Sequence, residues 1–365
     1  MTNPASAPRA LIMAGGGGTR FWPRSRQNLP KQFLAMRGDR SLLQETADRL
    51  EGLVAARDLM VITGKAHVGR TREQLPGVPG DMIIGEPTGR DTAPCVALAA
   101  ALLARTDPDG VFFTCPADHV IEPAGMFRKA LQAAAQVLQD HPNAFVTIGV
   151  PPTFPSTGYG YIHRGESIGS RLGVEASKVR SFKEKPPVET ARQYVASGEY
   201  LWNAGIFAWK PRAVLEALGR HKPALREGVL KIAEAWDGPN RDSVMAEIFP
   251  TLEKVSVDYA LLEKHDEVVV LGAPFQWDDV GSWLALERLN PQDAHGNTVQ
   301  ADHVGVRTKG CVIVAPKGRT VATLGVENLL IIEDGDCLLI ARKEDESAVK
   351  EVVEELKRAG RADKL

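Results

Sequence analysis

The chain has 365 residues, of which 44% are hydrophobic and 25% are charged, a composition typical of globular proteins. It carries 44 Lys and Arg residues against 46 Asp and Glu residues, for a formal net charge of −2, so no global basic field favours nucleic acid or an anionic membrane. These values exclude a largely disordered chain, a collagen-like fibre and a disulfide-rich miniprotein, and the length predicts two domains or one large domain with an appendage.

The first 150 residues alternate between short apolar runs and longer helical patterns. This alternation predicts an α/β fold, a Rossmann-like and mostly parallel sheet with helices on both faces. Ligands of such sheets bind at the carboxyl ends of the strands. Ser41 and Gln44 have the spacing of a capping box at the start of the first helix. The predicted strands are 10–14, 59–63, 82–85, 111–115 and 145–150, and the predicted helices are 41–50, 92–105 and 127–139.

The pattern is more mixed from residue 151 to about residue 290. A turn-rich segment leads into a strand-like run, and Pro211 suits the first turn of a helix. Strands are predicted at 178–185, 203–209, 267–271 and 274–277, and helices at 188–197, 242–247, 257–264 and from about Ser282.

A polar segment at 290–297 predicts a domain boundary, with one domain at 1–290 and a second at 291–365. The second is predicted to be a small β domain that ends in a helix at 344–358, because short β-branched runs are separated by turn signals. The β runs are 303–307, 311–314, 320–323, 329–333 and 337–340. The helix is predicted to dock one face through residues at helical spacing, namely Ala348, Val349, Val352, Val353 and Leu356.

The cysteines and the apolar runs indicate the compartment. Cys95, Cys115, Cys311 and Cys337 show no CxxC spacing, so we expect free thiols in a reducing compartment rather than a zinc or redox site. The longest apolar run, at 96–104, has nine residues and is too short to cross a membrane. The N-terminal apolar run is typical of a strand rather than a signal peptide, and we expect a cytoplasmic protein.

Four glycines, Gly15–Gly18, follow the first predicted strand. Glycines allow the backbone to approach a ligand closely, and successive N–H groups in such a loop bind anions. A dinucleotide fingerprint does not fit the spacing, since Arg20 stands where its third glycine would be. A P-loop does not fit either, because the loop does not end in Gly-Lys-Ser/Thr. The pattern therefore indicates a different phosphate loop, with Arg20 and Lys31 as cations, or else a tight turn with scattered surface charges.

Two acidic motifs follow predicted strands. Asp118 ends the segment FFTCPAD and Asp279 lies in FQWDDVGSW. Mg²⁺ prefers hard oxygen ligands and takes one or two protein carboxylates, which suits this pair. Taken alone, Asp118 is more often a helix N-cap than a metal ligand, and Asp279 could be part of a turn with an N-cap.

Two further segments carry polar side chains near predicted strand ends. In SFKEKP, Lys183 and Lys185 are predicted to share one face of a strand, with Glu184 on the other. A lysine there could hold a phosphate, or the segment could be a solvated strand end. In WNAGIFAW, Asn203 could place an amide beside a sugar, which alone is a weak signal.

Together these segments resemble the sugar-phosphate nucleotidyltransferase family, which makes nucleotide sugars from sugar 1-phosphates. The chain is most similar to its bacterial guanylyl branch, in the short form, which acts on mannose 1-phosphate. The matching motifs, which span about residues 10–285, are the glycine loop with TRFWPRS, PKQF, PADH, GYGYI, FKEKP, WNAGIF and WDDVGSW.

The resemblance implies that GMP passes from GTP to mannose 1-phosphate, with Mg²⁺ as cofactor, without nucleic acid or membrane partners, and in a chain that could form a homodimer. It implies a catalytic role for Arg20, Lys31 and Lys185, and Mg²⁺ binding by Asp118 and Asp279. The nucleotide residues it implies are Gly15, Gly16, Gly17, Thr19, Arg90 and Thr92, and the sugar residues are Gly158, Glu184 and Asn203.

The chain departs from the family pattern at Asp91, where the family usually has Asn, which loses an amide donor near the base. The tail has only His295 and His303, spaced unlike the metal-binding histidines of the isomerase domain that some relatives carry, and we expect no isomerase activity. Two alternatives remain: a nucleotidyltransferase for another hexose or heptose 1-phosphate, and a catalytically silent subunit that binds nucleotide sugars.

Overall fold

The structure, a computed structural model, describes residues 7–365 and divides into two units. The first unit holds the described residues up to Gly15, with Thr46–Ala117 and Ile121–Trp277. The second unit holds Gly16–Glu45, Asp118–Val120 and Asp278–Leu365. The expectation about a signal peptide concerns residues 1–6 in part, and these lie outside the described residues.

The strands and helices up to residue 289 agree in most places with the pattern of apolar runs. The strands are β1 (Arg9–Ala14), β2 (Leu59–Gly64), β3 (Ile83–Glu86), β4 (Phe112–Pro116), β5 (Val120–Glu122), β6 (Phe145–Val150), β7 (Gly160–Arg171), β8 (Val174–Glu184), β9 (Tyr200–Trp209), β10 (Val268–Gly272) and β11 (Gln276–Asp278). The α-helices are α1 (Leu42–Leu50), α2 (Val68–Gln74), α3 (Thr92–Ala104), α4 (Ala124–Asp140), α5 (Val188–Ser197), α6 (Pro211–His221), α7 (Pro223–Glu234), α8 (Arg241–Ile248) and α9 (Ala285–Leu289).

The first unit is built on a nine-stranded sheet of order β3-β2-β1-β4-β9-β6-β10-β8-β7. Strands β3, β2, β1 and β4 run parallel, as do β6 and β10, whereas β9 runs antiparallel between β4 and β6. Leu11 and Ile12 are adjacent in β1 and both fully buried, so both faces of this strand are covered. The predicted α/β fold class is confirmed, and the strand ends place the candidate residues of this unit.

The second unit has its own apolar core, in which the segment after the glycine loop packs with the C-terminal strands. Phe21 and Trp22 belong to this core with Trp283, and the indole of Trp283 donates a hydrogen bond to the carbonyl of Trp22 at 3.1 Å. Its strands are β12 (Thr298–Gln300), β13 (Asp302–Val306), β14 (Val312–Val314), β15 (Thr320–Leu324), β16 (Leu329–Asp334) and β17 (Cys337–Arg342), followed by α10 (Val349–Arg358). Strands β12, β14, β16 and β17 form one sheet and β13 and β15 another.

Several predicted elements were wrong in detail. The helix predicted from Ser282 begins as 3₁₀-type turns, with Ala285 N bonded to Ser282 O, and only the short α9 follows. The helix predicted at 257–264 is a π-helical segment, Asp258–Leu262. The terminal helix begins with a 3₁₀ segment, Lys343–Ala348, and Val352 is exposed instead of docked, while Val349 and Val353 are buried. Strand β12 was not predicted.

Two local predictions are confirmed by hydrogen bonds and position. Ser41 N donates to Gln44 Oε1 at 3.1 Å and Gln44 N donates to Ser41 Oγ at 3.2 Å, which is the reciprocal capping box. Pro211 lies in the first turn of α6. All four cysteines are free, as expected. Across residues 7–365, every helix falls short of the length and apolar character that crossing a membrane requires.

Candidate functional site

The glycine loop after β1 combines open space with one close approach. Gly16 and Gly18 have φ values of 94° and 58°, in the region that favours glycine. A Cβ added at Gly15 or Gly16 would meet no atom within 4 Å, and one at Gly17 would meet only Thr19 Cγ2 at 3.9 Å. At Gly18 it would lie 2.4 Å from Lys31 Cβ. The loop therefore leaves room on its open side and packs against Lys31 at its end.

Lys31 brings the two acidic motifs of the second unit together. It starts a 3₁₀ turn, Lys31–Phe33, and is 7% exposed. Its Nζ donates to Asp118 Oδ2 at 2.8 Å and to the carbonyl oxygen of Asp279 at 2.6 Å. Three residues that the sequence singled out separately thus meet at one ammonium group.

Asp118 keeps its negative charge in this cluster. Burial by itself would raise the pKa of Asp118, but the ammonium of Lys31 and the nearby His119 hold that pKa below its usual value. A charged carboxylate can hold a cation. A Cβ on Gly281 would lie 2.8 Å from Asp279 Oδ2, so glycine at 281 leaves space for that carboxylate.

The two aspartates suit Mg²⁺ better than a metal ion whose ligands all come from the protein. Within residues 7–365, no group of three or more His, Cys, Asp and Glu side chains is arranged to hold a metal ion. Mg²⁺ commonly takes one or two carboxylates and completes its shell with water and substrate phosphates. Asp118 and Asp279 could supply such carboxylate ligands.

Thr19 and Arg20 lie in a 3₁₀ turn, Thr19–Phe21, directly after the loop. Both are exposed, and no ion pair joins Arg20 to an acidic side chain within the described part of the chain. The guanidinium is therefore available to an anion from solvent.

In the first unit, the predicted sugar residues Glu184 and Asn203 lie on either side of Gly160. A Cβ on Gly160 would be 2.6 Å from Glu184 Oε2 and 3.5 Å from Asn203 Cβ. The sequence analysis chose Gly158, whose N–H donates to Ser156 Oγ at 3.2 Å. Gly160 was missed, although the repeated glycine of GYGY was a signal that could have identified it.

The prediction that Lys183 and Lys185 share one face of a strand is wrong. Strand β8 ends at Glu184, and Lys185 lies beyond it with a φ of 43°. This change of backbone direction turns the Lys185 ammonium back to Glu184 Oε1, at 2.6 Å. That hydrogen bond raises the pKa of Lys185, and the charge of Asp258 adds to the effect.

Asp258 is a further residue that the sequence analysis missed. Its Oδ1 accepts a hydrogen bond from Asn203 Nδ2 at 2.7 Å. Burial, together with the charge of Glu184, raises the pKa of Asp258 to about 6, although the bond from Asn203 lowers it. No local motif marked this position, because its partners lie on strands far away in the sequence.

The segment before α3 holds the residues implied to bind nucleotide. The hydroxyl of Thr92 accepts from Val257 N at 2.8 Å, and Thr92 N donates to Asp91 Oδ1 at 2.7 Å. Thr92 therefore has a structural task in joining two segments. Asp91 has a φ of 67° and is the N-cap of α3, while the Nε atom of Arg90 is buried without a hydrogen-bond partner.

Glu86, at the end of β3, is a third residue that the sequence did not reveal. It is 8% exposed, and its Oε1 is buried without a hydrogen-bond partner. Burial raises its pKa to about 7. The ionised form of a carboxyl group in this setting lowers the stability of the folded chain. The carboxyl end of β3 therefore carries an acidic group that readily holds a proton.

Comparison with known proteins identifies two matching families. Residues 9–296 match the family described as Nucleotidyl transferase, and residues 301–356 match the family described as MannoseP isomerase/GMP-like beta-helix domain.

Curated relatives and a solved structure extend these matches over nearly the whole chain. The chain is 38% identical over 359 residues to the xanthan biosynthesis protein XanB of Xanthomonas campestris pv. campestris, covering 97% of this chain and 74% of that protein. It is 39% identical over 356 residues to the mannose-1-phosphate guanylyltransferase of Escherichia coli (strain K12), covering 96% and 74%. The crystal structure of a mannose-1-phosphate geranyltransferase from Thermus thermophilus is similar with a TM-score of 0.84 and 35% identity, covering 96% of this chain and all of that one.

Proposed function

The chain belongs to the nucleotidyl transferase family, and we propose that it transfers GMP from GTP to mannose 1-phosphate, giving GDP-mannose and pyrophosphate. The observation that carries this proposal is the bonding of one buried ammonium, Lys31 Nζ, to Asp118 and to the carbonyl of Asp279. A buried cation paired with a carboxylate suits phosphoryl chemistry. Relatives that carry the name mannose-1-phosphate guanylyltransferase support the choice of base and sugar.

The reaction needs neither a general base nor a covalent enzyme intermediate. An oxygen of the sugar phosphate, already ionised at neutral pH, attacks the α-phosphorus of GTP in line. A bond forms between this oxygen and the α-phosphorus while the bond to the β-phosphate oxygen breaks, and pyrophosphate leaves with the bonding electrons. Catalysis then consists of positioning and of charge stabilisation around the phosphates.

Residues of this chain supply both the charge stabilisation and the positioning. Arg20 and Lys31 stabilise the triphosphate and the departing pyrophosphate, while the N–H groups of Gly15, Gly16 and Gly17, with Thr19, line the phosphate loop. Arg90 and Thr92 lie towards the guanosine. Lys185 holds the sugar phosphate, and Gly158, Glu184 and Asn203 bind the hydroxyls of the sugar.

Asp118 and Asp279 are the residues that would hold Mg²⁺. When bound, the ion neutralises phosphate charge and polarises the α-phosphate. The ionised state of Asp118, maintained by Lys31 and His119, supports this assignment.

The remaining assignments concern organisation. We assign the transferase reaction to residues 1–290 and the small β domain with its helix to 291–365, a segment that could support a homodimer. The four free cysteines support a cytoplasmic location.

The decisive experiment measures pyrophosphate release by the purified chain with Mg²⁺, each of four nucleoside triphosphates, and either mannose 1-phosphate or glucose 1-phosphate. Strong release only with GTP and mannose 1-phosphate is the expected result. Release with another pair, including a heptose 1-phosphate added to the panel, would keep the mechanism and overturn the substrates. Nucleotide binding without release from any pair would overturn the proposal in favour of a silent nucleotide-sugar-binding subunit.

A further inference from the structure

Asp258 has no assigned role in the reaction, yet it is bonded directly to a residue of the sugar site. We propose that Asp258 is a positioning residue, which holds the side-chain amide of Asn203 so that a single N–H remains for a hydroxyl of the sugar 1-phosphate. This inference rests on the proposed function, because it assigns Asn203 to the sugar.

The carbonyl end of the Asn203 side chain is fully engaged. Its Oδ1 accepts from Gly205 N at 3.1 Å and from Thr147 Oγ1 at 3.4 Å. Thr147 is completely buried in β6. An amide oxygen has two lone pairs, so neither remains for a ligand, and the two donors determine which end of the amide is oxygen.

The nitrogen end is engaged only in part. Asn203 Nδ2 has two hydrogens, of which one is donated to Asp258 Oδ1 at 2.7 Å. The other is the single polar group that this side chain can still offer. Asn203 can therefore act only as a donor, and a sugar hydroxyl would accept through its oxygen.

Asp258 gives this arrangement most of its strength. The bonds to Oδ1 are neutral and one of them is long, whereas a bond to a carboxylate is shorter and stronger. Without the Asp258 carboxylate, the Asn203 amide would keep only the two hydrogen bonds at its oxygen. The orientation of the N–H that faces the sugar would then be less well defined.

The surroundings of Asp258 agree with a binding role rather than a purely structural one. Asp258 opens the π-helical segment Asp258–Leu262, and such segments are frequent at functional sites. It is near enough to Glu184 for their like charges to interact, and Lys185 is influenced by both. Two carboxylates, an amide and an ammonium together match the hydroxyls and the phosphate of a sugar 1-phosphate.

The test compares Asp258→Ala, Asp258→Asn, Asn203→Ala and the double alanine variant of the full chain. We expect Asp258→Ala to raise KM for mannose 1-phosphate by about tenfold or more, with little change in KM for GTP. Asp258→Asn keeps an acceptor for Nδ2 and should remain closer to wild type. The double variant should be no worse than Asn203→Ala alone. Asp81→Ala, at an exposed position of the same unit, is the control.

Additive losses in the double variant, or an equal rise in KM for both substrates, would overturn the inference. A readout without substrate separates it from the proposed function: the side-chain amide signal of Asn203 in an NMR spectrum, assigned by its loss in Asn203→Ala. We expect Asp258→Ala to shift this signal and speed its hydrogen exchange, and Asp258→Asn to do so less. An unchanged signal overturns the inference, whereas failure of wild-type turnover with mannose 1-phosphate overturns only the proposed substrate.

Discussion

Lys31 Nζ lies 2.8 Å from Asp118 Oδ2, and the same nitrogen bonds the carbonyl oxygen of Asp279 at 2.6 Å. The lysine is almost completely buried, and the loop glycine Gly18 packs directly on it. One side chain therefore connects the glycine loop with both acidic motifs, and its removal should affect all three.

The first prediction concerns this ion pair. We expect Lys31→Ala and Asp118→Ala each to lower turnover at least about a hundredfold, on the scale of losing one transition-state contact, while the chain stays folded. Pyrophosphate release and thermal unfolding measure the two effects. Lys317→Ala is the matched control, because the Lys317 side chain is 98% exposed. Turnover near wild type in either variant would remove that residue from the catalytic set.

Local signals in the sequence were enough to predict most strands and the capping box of Ser41 and Gln44, because hydrophobic period and cap chemistry act over a few residues. They could not reveal Asp258, since its hydrogen bond with Asn203 and its interaction with the charge of Glu184 arise only when β8 and β9 are in place. The prediction that Lys185 shares a strand face with Lys183 was wrong for a different reason. The sequence pattern of the strand continues to Lys185, but the strand ends one residue earlier and Lys185 has a positive φ.

The second prediction concerns competition between Lys31 and a metal ion. Because the ammonium occupies Asp118 Oδ2, a cation binding there without nucleotide must displace it. We expect Lys31→Met to bind Mn²⁺, used as a spectroscopic substitute for Mg²⁺, about tenfold more tightly than wild type, or about 1.4 kcal/mol. Electron paramagnetic resonance of free Mn²⁺ measures this directly. Adding Asp118→Asn should cancel the gain, and equal affinity in wild type and Lys31→Met would contradict the assignment of this site.

The third prediction concerns the close approach at Gly18. In Gly18→Ala the new Cβ would lie 2.4 Å from Lys31 Cβ, at a φ of 58°. Since both the clash and the backbone angle are unfavourable, we expect a loss of about 1–3 kcal/mol in the free energy of unfolding and a loss of activity as Lys31 moves. Gly69→Ala in α2 is the control, because its Cβ would meet no atom within 4 Å and alanine favours a helix. Equal free energies of unfolding for the two variants would show that the loop accommodates the new Cβ without loss of stability.

The last prediction concerns stability against pH and follows from Glu86. Burial raises the pKa of Glu86 from 4.5 to about 7, so the folded chain holds this proton more tightly than the unfolded chain does. The stabilisation is therefore complete below pH 4.5, the unfolded value, and is lost as the pH rises through the folded pKa. Glu86→Gln has no proton to lose, and it should be more stable than wild type above pH 7 by at most about 3 kcal/mol, with the difference shrinking towards pH 4.5. Urea unfolding across this range measures it, with the exposed Glu175→Gln as control. Parallel stability curves for wild type and Glu86→Gln would mean that the Glu86 carboxylate finds a partner in the folded chain.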